Sequence, residues 1–172
     1  MRKIVLVCLL TALAGCRQQQ QPAPPPELTL PARAWDNAAV GDSVTIRTAS
    51  EKDLPIITRL EVLATAPDSV TIRRTVRIGN QPPASADETY RRDADPSRMA
   101  DYRSSGTKLP PQTLEISGKQ VRCNVYELKR PDEPAGASTS RMYLSPDVPG
   151  LWVRQESPVG NVAAEVVEFT KK

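Results

Sequence analysis

Between Ser69 and Ile78 the chain alternates, with Val70, Ile72, Val76 and Ile78 on one parity and Thr71, Arg73, Thr75 and Arg77 on the other. A period of two sends successive side chains to opposite faces of a strand, so this segment predicts a strand with one buried and one wetted face. The alternation returns in Ser43 to Thr48, with Val44 and Ile46 inward, and in Gln120 to Leu128, with Val121, Cys123 and Val125 inward. Ile56 to Thr65, Thr139 to Leu144, Leu151 to Glu156 and Val162 to Thr170 are further strand candidates. Turn formers separate them at Ala66-Pro67-Asp68-Ser69, Ser117-Gly118-Lys119 and Ser157-Pro158-Val159-Gly160-Asn161. Links this short make neighbouring strands antiparallel. One short helix is also expected. Asp95 caps it, Pro96 takes its first position, Met99, Ala100 and Tyr102 supply an apolar side, and Gly106 ends it.

The pattern thus predicts a mainly β domain, an antiparallel meander of about 7–9 strands with one short helix. A flat sheet of one-sided strands would leave its apolar face in water. A closed barrel, a sandwich or a curved half-barrel each avoids that, and the half-barrel fits the strand count and the helix together. No segment repeats at the period of a solenoid or propeller.

The N-terminus follows a different pattern. Arg2 and Lys3 precede an apolar run from Ile4 to Leu10 that continues through Ala14 and Gly15 to Cys16. This is the layout of a secretory signal, and a run of about a dozen residues is too short to span a bilayer, which takes roughly 20. Four glutamines (Gln18 to Gln21) and Pro22-Ala23-Pro24-Pro25-Pro26 follow, with no apolar periodicity, which reads as a semi-extended tether. The divisions are therefore residues 1–15 as signal, 16–33 as a Gln/Pro-rich tether and 34–172 as one domain, long enough for a single core.

The quartet Leu13-Ala14-Gly15-Cys16 resembles the lipobox of bacterial lipoproteins. The resemblance implies cleavage before Cys16, a diacylglyceryl thioether and a further acyl chain, such as palmitate, on that residue, and attachment to a membrane. Two or more chains hold a protein stably, at roughly 0.8 kcal/mol per buried CH₂. Arg17, where that family places aspartate to retain a protein in the inner membrane, implies the periplasmic face of the outer membrane, with the inner membrane as the alternative. Gly118-Lys119-Gln120-Val121-Arg122-Cys123 and Tyr143-Leu144-Ser145-Pro146-Asp147-Val148-Pro149-Gly150-Leu151, with Val40-Gly41-Asp42-Ser43-Val44, resemble a group of uncharacterised bacterial secreted domains. The half-barrel is similar in architecture to periplasmic lipoprotein carriers of the LolA and LolB type, a likeness of fold and not of motif.

Charge and chemistry narrow the function classes. Loss of Arg2 and Lys3 with the signal takes the 23 basic side chains to 21, against 20 acids, so the surface offers no footprint for nucleic acid. The chain has no histidine. That removes the commonest general base and metal ligand and every Ser-His or Cys-His pair. Cys8 leaves with the signal and Cys16 carries lipid, so Cys123 stands without a disulfide partner, on an inward position where a thiol acts as a small hydrophobe. Asp87 and Glu88, Asp93 and Asp95, and Asp132 and Glu133 are the closest acid pairs, and each reads as solvated surface charge mixed with arginine. Arg47, Arg73, Arg77 and Arg122 fall on outward positions, either as a basic stripe for anionic headgroups or wall polymer, or in cross-strand pairs with Glu61, Glu115 and Glu156. Trp35 and Trp152 read as packing anchors. No catalytic, metal or cofactor residues are assigned, and Cys16 is the one site, a lipidation site. The function expected is a non-enzymatic envelope lipoprotein that binds or scaffolds another envelope component. The alternative is a carrier holding a lipid or acyl chain in a half-barrel.

Overall fold

In the computed structural model the described residues are 35–36, 38–49, 54–91, 106–128 and 139–172. They form nine strands: β1 (Ser43–Thr48), β2 (Ile56–Thr65), β3 (Ser69–Ile78), β4 (Ala84–Arg91), β5 (Thr107–Ile116), β6 (Lys119–Leu128), β7 (Ser140–Leu144), β8 (Trp152–Glu156) and β9 (Val162–Thr170). All belong to one antiparallel sheet in the order β4-β3-β2-β1-β9-β8-β7-β6-β5, not closed into a barrel. The curved antiparallel meander is therefore the fold, with no helix among the described residues. The helix expected from Asp95 lies outside them.

Every strand pairs with its neighbour in sequence except β4 with β5, and one further pairing is non-sequential. β1 pairs with β9, so the first and last strands meet in the middle of the sheet. β4 and β5 do not pair, and they become its edges. The sheet is an up-and-down ring opened between β4 and β5. Register shifts interrupt five of the eight strand pairs: β1 with β9, β2 with β3, β5 with β6, β7 with β8, and β8 with β9. An extra residue on one strand bends it and raises the local twist, so repeated shifts curl a wide sheet. The curl carries β5 into contact with β9, four places away in strand order. There Lys119 Nζ lies 4.7 Å from the centroid of the Phe169 ring and donates to the Phe169 carbonyl at 3.5 Å.

This curl encloses the main core. Val44 of β1, Ile116 of β5, Val121, Cys123 and Val125 of β6, Tyr143 of β7, Val153 of β8, and Val166 and Phe169 of β9 form one buried cluster. Tyr126, Met142, Leu144 and Leu151 form a second. Tyr126 and Leu144 have the opposite parity to Val125 and Tyr143, so β6 and β7 are buried on both faces. A third cluster, Val62, Val70 and Ile72, lies under β2 and β3 and is packed by Trp35 and Leu60.

Two devices, one polar and one steric, fix the end of the sheet where the domain begins. Asp42, with no exposed surface, accepts the Ala39 amide at 2.9 Å and the Lys172 amide at 2.8 Å, joining the entry to β1 to the end of the chain. Gly150 takes φ +77°, and a Cβ there would stand 2.9 Å from Cζ2 of Trp35, so only glycine fits both the backbone and the space. Leu151 follows at φ 63°, unusual for a side chain of its size.

Candidate functional site

Two regions of the described surface gather candidate side chains. The first is an ion cluster spanning β1, β9 and β8. Glu165 accepts from Arg47, its register partner on β1, and from Arg154 Nη2 at 3.0 Å, its partner on β8. Arg154 also reaches Glu156 at 4.0 Å and lies 5.9 Å from the centroid of the Tyr143 ring. Glu165 and Glu156 keep only 15 % of their side-chain surface exposed, and Arg154 26 %. Burial, and then the bond to Glu156, raises the Tyr143 hydroxyl above its usual range. Arg154 Nε is buried without a partner. One guanidinium thus ties two carboxylates and an aromatic face across β7, β8 and β9, which makes the cluster a clamp on the middle of the sheet.

The second region is the rim opposite the chain's entry. Leu54, Ile78, Val159 and Val162 are 49 %, 40 %, 78 % and 37 % exposed. Pairing sets them at one end. Ile78 is opposite Ile56, Ile56 is opposite Thr48, and Thr48 is opposite Ala164, two residues into β9 from Val162. Across β3, β2, β1 and β9 this row spans about 14 Å at the usual strand spacing. Leu54 flanks Gly79 beyond β3, and Val159 sits in the turn Ser157-Pro158-Val159-Gly160-Asn161, closed by Ser157 N to the Asn161 carbonyl at 2.7 Å. Single exposed apolar side chains on a surface are ordinary; these four share one end, while Val40, 52 % exposed, and Tyr90, 39 % exposed, stand elsewhere.

The outward face of β3 and β4 is polar. Thr71 bonds Thr89 at 3.1 Å, Arg73 makes a two-pronged pair with Asp87 at 2.8 and 3.0 Å, and Thr75 bonds Ser85 at 2.8 Å. On the other face Arg74 stands 3.9 Å from Glu88, which also accepts from the Tyr90 hydroxyl. Burial, followed by that bond, pushes the Tyr90 hydroxyl up to about 12. A shallow polar depression is lined by Arg73, Ser85, Ala86 and Asp87.

These positions answer the residue expectations one by one. Arg47 and Arg73 form cross-strand pairs, with Glu165 and Asp87 as principal partners; Glu61 adds a weaker pull on Arg73. Arg77 and Arg122 stand on β3 and β6, at opposite ends of the strand order from β1. Cys123 is fully buried, and burial, the largest cause, pushes its thiol up to about 12. Asp87 and Glu88 project from opposite faces of β4, each toward an arginine. Asp93, Asp95, Asp132, Glu133 and Cys16 lie outside the described residues. Trp35 and Trp152 are half-buried and packed on the core clusters. Glu165 and Arg154 were not singled out, because their partnership depends on β9 lying between β1 and β8, which strand patterns do not encode.

Among the described residues no group of acids and cysteines is arranged to hold a metal ion, and no helix is long and apolar enough to cross a membrane. No family model, curated protein or solved structure matches the chain.

Proposed function

We propose that the chain is a lipid-anchored envelope protein whose β domain binds or scaffolds another envelope component without catalysing a reaction. The observation that carries this reading is the polarity of the domain. Its described residues begin at Trp35, beside Gly150, and Asp42 joins the segment entering β1 to Lys172. The apolar rim of Leu54, Ile78, Val159 and Val162 lies at the other end of the strands. A tether from Cys16 would join the domain at its entry end, leaving the rim free to meet a partner. A strand of ten residues covers roughly 33 Å, which separates the two ends. The carrier alternative draws less support, because the curl from β5 to β9 is filled by its own side chains.

The anchor is tested by a Cys16→Ser variant expressed in a bacterium with lipoprotein processing. The parent chain is expected in the membrane fraction with an acyl mass on its N-terminal peptide, and the variant without that mass and released from the membrane. A variant that stays membrane-bound places the anchor elsewhere and overturns the proposal.

A further inference from the structure

The connection between β7 and β8 makes two tight turns in succession. In the first, Val148-Pro149-Gly150-Leu151, the Leu151 amide donates to the Val148 carbonyl at 2.9 Å, and proline and then glycine at φ +77° take the central positions, as a type II turn requires. In the second, the Trp152 amide donates to the Gly150 carbonyl at 2.7 Å around Leu151, whose φ is 63°. A bond from residue i+2 back to residue i around a positive φ is the rare, strained form of the γ-turn, and a bulky side chain at its centre is an outlier. Residues in such conformations persist only where their surroundings over-determine them, and they gather at clamps and switches.

Three contacts hold this corner. The Ser145 amide donates to the Leu151 carbonyl at 2.8 Å, and the Leu151 side chain is buried with Tyr126, Met142 and Leu144 in the second cluster. From the side of the main core the Trp35 indole covers Gly150, and it packs there on that core and on the cluster under β2 and β3. Glycine supplies the seat, since a Cβ at position 150 would stand 2.9 Å from Cζ2 and 3.0 Å from Cη2 of the ring. The first two contacts belong to β6, β7 and the connection itself; the third comes from the segment that enters the domain. We infer that Trp35 is a latch on this corner. Seated on Gly150, it keeps Leu151 in the γ-turn and in the second cluster; withdrawn, it lets the strained turn relax and Leu151 leave. Two consecutive residues thereby couple the entering segment to the cluster of Tyr126, Met142 and Leu144. The inference does not depend on lipid attachment.

The test is hydrogen exchange of the full chain in detergent, read by mass spectrometry over residues 145–152 and over β6, for the parent, Trp35→Ala and Trp35→Phe. An ordinary packing residue loosens the whole domain when it is cut back, whereas a latch frees one corner. Trp35→Ala should speed exchange of the Ser145, Leu151 and Trp152 amides roughly tenfold while the β6 amides stay within about twofold of the parent. Trp35→Phe, which keeps a flat ring on Gly150, should exchange like the parent. Met142, 3 % exposed in the parent, should be oxidised by dilute peroxide about fivefold faster in Trp35→Ala. Equal acceleration in β6 and at the corner, or unchanged exchange at the corner, overturns the inference. Should Trp35→Ala fail to fold, Trp35→Leu, which keeps apolar volume without the flat ring, takes its place with the same expectations. The same pattern is expected in a Cys16→Ser background, so failure of the anchor proposal leaves this test standing.

Discussion

Asp42 has no exposed surface and receives two backbone amides, from Ala39 and Lys172. A carboxylate held this way has exchanged water for donors that cannot find another acceptor if it is removed. Asp42→Ala should lower the stability of the domain by about 2–3 kcal/mol, read from urea denaturation. An unchanged midpoint would mean that water replaces both bonds. Cys123 teaches a different lesson at the same scale. Its parity between Val121 and Val125 already marked it as inward, and its burial with a thiol pushed up to about 12 agrees. The burial of Asp42 was not legible, because the donor it holds is contributed 130 positions away. Sequence pattern reports a residue's own face; it does not report which distant amide arrives there.

At the scale of elements, seven of the nine strands stand at or within one residue of where alternation places them, from Ser43–Thr48 through Val162–Thr170. β4 and β5 are the two that alternation does not mark. Both are edges, with little apolar surface to bury: β4 reads ASADETYR, and β5 carries two adjacent prolines. An edge strand is held by one neighbour and by cross-strand side chains, so its own hydrophobic period is weak. For β4 the main side-chain hold is Arg73 on Asp87. Hydrogen bonding to Arg73, first among the causes, holds the Asp87 carboxyl below its ordinary range. A carboxyl lowered in the folded state contributes stability above its unfolded value of about 3.9, and that contribution is lost as pH falls through the lower folded value. The parent should therefore exceed Asp87→Asn in denaturation midpoint near neutrality, with the difference shrinking below about pH 4. A pH-independent difference would mean the pair acts through packing alone. Because the pair is exposed, the effect should be small.

Over the whole molecule, β9 is the strand on which the fold depends. Among the described strand pairings it is the one link between the β1–β4 half and the β5–β8 half, it supplies Val166 and Phe169 to the main core, and its Glu165 holds Arg47 on one side and Arg154 on the other. A chain ending at Asn161 should lose cooperative thermal unfolding by circular dichroism, since both halves would expose apolar surface at once. A sharp transition in that truncated chain would mean that one half folds alone. The sequence by itself determined the mainly β class, the antiparallel connections, the inward side chains of most strands and the absence of histidine, because each of these is written in local periodicity, short turns or composition. Tertiary structure decided that β1 closes on β9, that the ring opens between β4 and β5, that β6 and β7 are buried on both faces, and that Leu54, Ile78, Val159 and Val162 share one rim. Those features follow from the pairing of β1 with β9, more than a hundred residues apart, and from bulges that curl the sheet. The energy of such contacts belongs to the assembled surface and to no single segment of the chain.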